Sequence, residues 1–390
     1  MTRATVARLL LLVSLLLAAC APTPRATSTL PTPASAVTSA LPTPPPAATA
    51  TPPAPAVTLT DALGRTVRLE SLPQRITVAG RATVAIVDAL YMFPAASQRV
   101  VAMTRSGQGQ AGDFIATIDP AFDQKALLDR EPGPEQVAAT QPDVVVLKSF
   151  LADSLGAALE ALGIPVIYVD LETPEQYERD LRLLGALLGD PARAEEIIAF
   201  YRAGQERVAQ GVAGLTDAER PRVLLLQASE EGGTVAFKVP PASWIQTSMV
   251  EMAGGIPVWR EAAPTGGWTV VGFEQIAAWD PDQVYIVNYL ASATETVAAL
   301  QADPQWQALR AVQEGHLYPF PADFYSWDQP DPRWVLGLTW LATRIHPDRF
   351  ADVDIARETT QFFTQMYGLT EAQVDEVIMP RLSDDLALLP

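Results

Sequence analysis

The chain has 390 residues, of which 48% are hydrophobic, and carries 27 Lys and Arg against 45 Asp and Glu, for a net charge of −18. This acidic balance argues against nucleic acid as a partner. The single cysteine, Cys20, excludes an intramolecular disulfide. Only two histidines are present, so a zinc or manganese site built from several imidazoles is not expected.

The first twenty residues have the features of a targeting segment rather than of a fold. Arg3 and Arg8 form a positive region before a short apolar stretch at residues 9–17, which is too short for a stable membrane span. The segment ends in Leu-Ala-Ala-Cys, which resembles a bacterial lipobox. We expect residues 1–20 to be a lipoprotein signal peptide and Cys20 to carry the lipid. The alternative is an ordinary secretory signal that happens to end in cysteine.

Residues 21–56 hold eleven prolines among Ala, Thr and Ser, and Arg25 is their only charge. Such a composition cannot bury a core, so this segment is predicted to be a disordered, extended tether. The folded body therefore begins near residue 57. Together, signal and tether predict an extracytoplasmic protein, lipid-anchored to the cell membrane in the periplasm or at the cell surface.

Strands and helices alternate along the folded body. A hairpin is predicted at residues 57–69, with its turn at Asp61-Ala62-Leu63-Gly64. Apolar runs then predict strands at 75–79, 100–103, 144–147 and 166–169, separated by helices at 82–90, 135–140 and 155–162. A second series follows, with strands at 222–227, 284–287 and 317–320 and helices at 245–253 and 274–278. This alternation predicts parallel sheets.

A long helix is predicted between the two series. Gly189-Asp190-Pro191 ends one helix and begins the next, and apolar residues then keep helical spacing through residue 208. We expect this helix to span residues 191–213.

One segment occurs twice in the chain. Residues 134–149 and 273–288 align without gaps, sharing Glu-Gln, Ala-Ala and Pro-Asp at a period of 139 residues. The period is too long for a solenoid and indicates two similar lobes with a cleft between them. The predicted fold class is α/β, with two Rossmann-like lobes of mostly parallel sheets joined by a long connecting helix. We expect lobes at 57–172 and 216–390 and connecting helices at 173–215.

Several motifs, in order, resemble the helical-hinge (class III) substrate-binding lipoproteins of ABC importers, which serve ferric siderophores, haem and cobalamin. The resemblance spans about residues 57–370. It is carried by the opening at residues 58–67, Pro-Gln-Arg-Ile at 73–76, the repeated segment, Met-Ala-Gly-Gly at 252–255, Gly-His-Leu-Tyr at 315–318, and Ser326-Trp327-Asp328 before Arg333. The resemblance implies that one long helix joins the lobes and that closure on ligand is small.

The resemblance also gives a role to two repeated residues. Family members present one glutamate per lobe to the permease, and Glu135 and Glu274 stand at the matching helix starts. A carboxylate in the first turn also stabilises a helix through its dipole, by about 0.3–1 kcal/mol. The implied partners are an ABC permease and its ATPase, and the chain itself is expected to be a monomer.

The carboxyl ends of the first-lobe strands are predicted to deliver three cations to the cleft. Arg81, Arg105 and Lys148 each follow one predicted strand, and ligands of parallel α/β sheets bind at these ends. Their placement favours an anionic ligand. The alternative is three solvated loop cations.

Aromatic residues follow the elements of the second lobe. All eight tryptophans lie in this half, and we expect ligand contacts from Trp244, Trp268, Tyr325 and Trp327. Trp279, Trp334 and Trp340 lie in helical runs and are expected in the core. Cations facing aromatics suit a small-molecule metal chelate of the iron-siderophore type. Cobalamin, haem and molybdate or tungstate remain alternative ligands.

No catalytic motif supports an enzyme. The sequence has no Gly-x-Ser-x-Gly, phosphate loop or dinucleotide fingerprint, and only two histidines for a triad. We therefore expect no catalytic residue, cofactor or bare-metal site. A surface lipoprotein hydrolase and a ligand sensor are the alternatives of another class.

Overall fold

The computed structural model describes residues 56–105, 113–231, 234–263 and 266–386. The predicted signal peptide, Cys20 and nearly all of the predicted tether lie outside these ranges. The described part contains thirteen strands: β1 (Val57–Thr60), β2 (Thr66–Leu69), β3 (Ile76–Val78), β4 (Val100–Thr104), β5 (Ala126–Leu128), β6 (Val144–Lys148), β7 (Val166–Val169), β8 (Arg222–Glu231), β9 (Thr234–Val239), β10 (Ile256–Pro257), β11 (Thr269–Val271), β12 (Gln283–Val287) and β13 (Leu317–Pro319).

The α-helices of the described ranges fall between and after these strands. They are α1 (Thr83–Tyr91), α2 (Ala96–Arg99), α3 (Phe114–Ile118), α4 (Pro134–Ala138), α5 (Ala157–Ala161), α6 (Pro174–Leu187), α7 (Pro191–Gly211), α8 (Ile245–Met252), α9 (Phe273–Trp279), α10 (Ala293–Ala302), α11 (Arg310–Gln313), α12 (Trp334–Ile345), α13 (Ile355–Tyr367), α14 (Glu371–Val377) and α15 (Met379–Leu386).

The predicted opening hairpin is confirmed. β1 and β2 pair antiparallel, from Val57 opposite Leu69 to Thr60 opposite Thr66. The Asp61 carboxylate accepts hydrogen bonds from the backbone of Leu63 and Arg65, and so closes the turn.

The first sheet has the order β5-β4-β3-β6-β7, and every neighbouring pair is parallel. Both faces of β6 are buried: Val144 and Val146 belong to one apolar cluster, and Val145 and Leu147 to another. Successive side chains of a strand point to opposite faces, so a sheet covered by helices on both sides needs a continuous apolar strand. The run of valines at residues 144–146 meets this need.

The second sheet combines a parallel part with an antiparallel edge. Its order is β11-β9-β8-β12-β13; β12 is parallel to both neighbours, whereas β9 is antiparallel to β8 and β11. The α/β class and the mostly parallel sheets are confirmed. The antiparallel edge was not predicted, although the Gly232-Gly233 pair between β8 and β9 is a hairpin signal.

The two copies of the repeat occupy equivalent places. β6 lies between β3 and β7, and β12 lies between β8 and β13. Each copy begins with a helix that has one fully buried residue, Val137 or Ile276. Each helix is followed by a non-glycine residue with positive φ, Gln141 at 50° and Asp280 at 39°. The likeness therefore extends from sequence to backbone conformation.

Helix α7 occupies the predicted connecting position and ends two residues earlier than expected. In the order of the chain, it lies between β7 of the first sheet and β8 of the second. The C-terminal part of the chain then returns to the first series, because Phe363 and Tyr367 of α13 pack on Phe114 of α3. The boundaries at residues 57–172, 173–215 and 216–390 remain our proposal.

Candidate functional site

A cavity of about 590 Å³ lies between residues of the first and second sheets. Sites for small organic ligands have about 300–1,000 Å³. The first sheet and its loops contribute Arg81, Ala82, Val84, Ala85, Lys148, Phe150 and Glu172 to its lining. The second half contributes Trp244, Gln246, Gly266, Trp268, Tyr289, Gln329, Pro330 and Asp331. We call this space the ligand cavity.

Arg81 stands between β3 and α1 at the edge of the ligand cavity. Its side chain is exposed, and no carboxylate of the described residues forms an ion pair with it. Its guanidinium carbon lies 5.9 Å from the centre of the Phe150 ring. The neighbouring start of α1 has no side-chain cap, and its first residues line the same cavity. An unpaired cation beside an uncapped helix N-terminus gives this wall a positive potential.

Lys148 lines the ligand cavity but is neutralised within the first lobe. It stands at the end of β6, is 1% exposed, and donates from Nζ to a Glu172 carboxylate oxygen at 2.6 Å. It also donates to the carbonyl of Asp170. This cation is therefore already paired before a ligand arrives.

Arg105 does not line the ligand cavity. Its side chain is exposed, and its backbone N–H donates to the Leu128 carbonyl at 3.1 Å. Of the three cations expected at the cavity, only Arg81 and Lys148 line it, and Lys148 is already paired with Glu172. The reason is geometric: β4 lies on the far side of β3 from β6, and Arg105, the residue after β4, is not part of the cavity lining.

An aromatic wall faces Arg81 from the second half. The rings of Trp244 and Trp268 lie 5.6 Å apart at 86°, and those of Trp268 and Tyr289 lie 6.0 Å apart at 65°. The Tyr289 hydroxyl donates to the Asp328 carboxylate at 2.6 Å, which fixes the ring. The wall offers a large, rigid apolar area.

Tyr325 and Trp327 lie in the core and not at the ligand cavity. Trp327 is fully buried, and its Nε1 donates to Asp323 at 3.1 Å. Tyr325 is 3% exposed and lies beside the Arg333 guanidinium. The expectation of ligand contact arose because the segment has loop composition. α12 covers this loop: Gly337 lets the helix approach the Trp327 backbone, since a Cβ there would lie 2.2 Å from the Trp327 oxygen.

The three tryptophans that were expected in the core differ in burial. Trp334 and Trp340 of α12 are buried, whereas Trp279 at the end of α9 is only partly buried.

Two buried side-chain oxygens, on residues that line the ligand cavity, lack a hydrogen-bond partner among the described residues. They are Oε1 of Gln246 and Oδ2 of Asp331. Burial raises the pKa of Asp331 well above its usual range. Gln246 is held from its other end, because its Nε2 donates to Asp328 at 3.2 Å. Buried polar atoms are rarely left unpaired, so these two atoms indicate a place where a ligand supplies hydrogen bonds.

Sequence reasoning did not find Gln246 or Asp331. Asp331 lies between Ser326 and Arg333, inside a motif that carried the family resemblance. That position was the only sequence feature that pointed to a functional role for it. Gln246 gave none, because a glutamine at the start of an amphipathic helix is ordinary.

A buried ionic cluster lies next to Asp331. The Arg333 side chain is fully buried, and donates to Asp88 at 2.6 Å and to Asp323 at 2.7 Å. Burial raises the pKa of Asp88 to about 7 against the opposing effect of Arg333. Asp88 belongs to α1, and Arg333 immediately precedes α12. The ion pair therefore ties the helix at the positive wall to the second half of the chain.

Glu135 and Glu274 are exposed in the first turns of α4 and α9. Both helices begin after a glycine, and a Cβ on either glycine would lie 3.3 Å from the carboxylate oxygen of its glutamate. Both carboxylates thus lie near their own helix N-termini, where they stabilise the helix dipole. The two environments are equivalent, as the repeat requires.

The described ranges contain neither a metal-binding cluster nor a membrane-spanning helix. No group of three or more His, Cys, Asp or Glu there has a geometry that could hold a metal ion. His316 lies 3.2 Å from the Asp282 carbonyl and His346 lies 3.3 Å from the Gly254 carbonyl, so both rings contact backbone. None of the described helices combines the length and apolar character that a membrane span needs.

Comparison with known proteins agrees with the fold. Residues 83–324 match the family model of the periplasmic binding proteins, and the chain belongs to that family. Solved structures with a similar fold include the molybdate periplasmic binding protein MolA of a Haemophilus influenzae ABC transporter and the TroA-like periplasmic binding protein FepB from Veillonella parvula. The chain is therefore an extracytoplasmic substrate-binding protein of an ABC transporter and not an enzyme.

Individual relatives are distant. The molybdate-binding protein MolA of Haemophilus influenzae is 21% identical over 336 residues, which cover 79% of this chain and 90% of MolA. The iron-uptake system-binding protein of Bacillus subtilis is 20% identical over 219 residues, or 55% of this chain and 63% of the relative. A periplasmic solute-binding protein structure from Veillonella parvula, 23% identical, covers 84% of this chain and 98% of its own, with a TM-score of 0.66.

Proposed function

We propose that this protein captures an anionic organic metal chelate of the iron-siderophore type in the ligand cavity. One observation carries the proposal. The cavity combines an arginine without an ion-pair partner, Arg81, and the uncapped start of α1 with an aromatic wall. Arginine binds carboxylates and catecholates through a planar pair of donors. Trp244 and Trp268 suit the apolar parts of an organic ligand.

The size and polarity of the cavity support an organic ligand over a bare oxyanion. A volume of about 590 Å³ suits a drug-sized molecule. A deprotonated oxyanion has acceptors only, whereas Gln246, which lines the cavity, has a side-chain oxygen without a donor among the described residues. A chelate with amide or hydroxyl groups can supply that donor.

Molybdate or tungstate is the second candidate. The relative MolA is named for molybdate, and an uncapped helix N-terminus beside one arginine suits a small oxyanion. Haem and cobalamin are further alternative ligands, and cobalamin would use the aromatic wall without needing Arg81.

The ligand can be identified by intrinsic tryptophan fluorescence. The chain from residue 21 onward is titrated with ferric catecholate, ferric hydroxamate, ferric citrate, haem, cobalamin and molybdate. Saturation by an anionic ferric chelate, with a signal lost in Trp268→Phe and kept in the matched control Trp279→Phe, supports the proposal. Saturation by molybdate alone would replace it with the second candidate. Silence with all six ligands would contradict the proposed ligand class.

We further propose that Glu135 and Glu274 dock on the permease, one from each lobe. The equivalent exposure and helix-start position of both carboxylates support a pair that two similar permease surfaces can bind. α/β helices run antiparallel to their strands, so the starts of α4 and α9 lie toward the carboxyl edges of the sheets. Docking there would place the bound chelate opposite the transport pathway.

Finally, we propose that Cys20 is lipidated and that residues 21–56 tether the body to the membrane. The lipobox-like sequence and the proline-rich composition support this arrangement. Membrane fractionation of cells that express the native chain or Cys20→Ala provides the test. The native chain should sediment with membranes and the variant should be soluble. A variant that still sediments would contradict the anchor.

A further inference from the structure

A second space of about 430 Å³ lies in the first lobe beside the ligand cavity. Its wall is mostly apolar and includes Leu151, Leu155 and Ala158, with Pro134 at the start of α4 on another side. Arg81 lines both this space and the ligand cavity. We call the second space the side cavity. No residue that lines only the side cavity has a role in the site described above.

Consecutive residues separate the two spaces. Phe150 lines the ligand cavity, and Leu151 lines the side cavity. Phe150 is 56% exposed, which is unusual for a large aromatic side chain. An exposed ring at the junction of two apolar walls is a surface that a ligand extending from one space to the other would cover.

Uncommon backbone conformations form the walls of the side cavity. A π-helical turn at Ala152–Gly156 precedes α5, and such turns occur frequently at functional sites. Next to Leu151, Gly80 has φ +90°, and a Cβ there would lie 2.3 Å from the Leu151 side chain. Ala82 adopts φ 57°, a conformation that costs free energy for a residue other than glycine. These two positions bracket Arg81 and fix the residue that both spaces share.

We propose that the side cavity binds an apolar arm of the ligand, an aliphatic chain or aromatic ring, whose anionic metal-binding part Arg81 holds in the ligand cavity. This inference rests on the proposed function. The apolar walls remove the arm from water, while the guanidinium at the shared wall stays with the charged part. The preferred ligand is then a chelate with a substituent of several carbons, not a compact symmetric complex.

Two ferric complexes that differ only in a butyl substituent on each catecholate test this assignment. Ferric catecholate and ferric 4-butylcatecholate are titrated into the native chain, followed by tryptophan fluorescence. Each buried methylene tightens binding by roughly fourfold, so we expect the butyl complex to bind at least about tenfold more tightly. Ala158→Phe fills the side cavity and should remove this preference without weakening the unsubstituted complex. Ala157→Phe is the matched control, because the neighbouring Ala157 is exposed and lines neither space.

The outcomes separate this inference from the proposed function. A butyl preference that Ala158→Phe abolishes and Ala157→Phe keeps supports the side cavity as an arm site. Equal binding of both complexes by the native chain overturns the arm site and leaves the anionic-chelate function standing. A preference unchanged in folded Ala158→Phe also overturns it, because the arm then binds elsewhere. Binding of neither complex overturns the proposed function and the inference with it. The comparison of two complexes on the native chain does not depend on any variant folding.

Discussion

Replacement of Arg333 by methionine should strongly destabilise the protein at alkaline pH. The native guanidinium is fully buried, donates to Asp88 and Asp323, and lies 4.6 Å from the centre of the Phe114 ring. Methionine retains much of the apolar stem but leaves both carboxylates without their cation. Removal of one partner of a buried ion pair costs about 3–5 kcal/mol of the free energy of unfolding. We expect Arg333→Met to lose about this amount at pH 8.

The loss of unfolding free energy caused by Arg333→Met should be smaller at low pH. Burial already raises the pKa of Asp88 to about 7 with Arg333 present. Without the arginine this pKa rises further, so the carboxyl enters the folded state as the neutral acid. Protonation of Asp88 is nearly free near its unfolded pKa of about 3.9 and costs more with each pH unit above it. The destabilisation by Arg333→Met should therefore be smaller at pH 5 than at pH 8.

Urea unfolding followed by tryptophan fluorescence measures both values. The matched control is Arg182→Met, the same substitution at an exposed arginine paired with exposed Glu195. Exposed pairs contribute about 0–1 kcal/mol, so the control should change little at either pH. A loss below about 1 kcal/mol for Arg333→Met at pH 8, or an equal loss at both pH values, would refute the reasoning.

Three further predictions concern single features of the site. Arg81→Ala should weaken binding of ferric catecholate by about tenfold or more, because a charge-assisted hydrogen bond is lost, whereas Arg105→Ala should bind normally in the same titration. Glu135→Arg combined with Glu274→Arg should abolish cellular uptake while the purified chain binds its ligand as before; normal uptake would exclude docking through these residues. Native Asp88 keeps a proton that the unfolded chain releases near pH 4, so stability should fall as pH rises from about 4 to 7. Asp88→Asn should flatten that slope in urea titrations, and an unchanged slope would assign it to other groups.

Local patterns predicted the elements, because they depend on neighbours in the sequence. The apolar run of β6, the proline at the start of α7 and the glycine turn of the first hairpin all act within a few residues. The repeat added long-range information, since two copies of one segment require two similar surroundings. It predicted equivalent places for Glu135 and Glu274 in their helices.

The ligand cavity was predicted only in part. Arg81, Lys148, Trp244 and Trp268 were placed at strand ends or in loops, and all four line the cavity. Which of those ends converge, and which cation is already paired, depends on sheet order and on partners distant in sequence. Arg105 follows a strand on the far side of β3, and Lys148 is neutralised by Glu172.

The sequence alone determined the α/β class, the two related halves and the connecting helix, because periodicity, capping and repetition are properties of the chain itself. Only the tertiary structure decided which loops are walls and which are core. The segment from Ser326 to Arg333 has the composition of an exposed loop, yet α12 packs over it and buries Trp327. Burial depends on contacts between segments far apart in the sequence, and no local pattern carries that information.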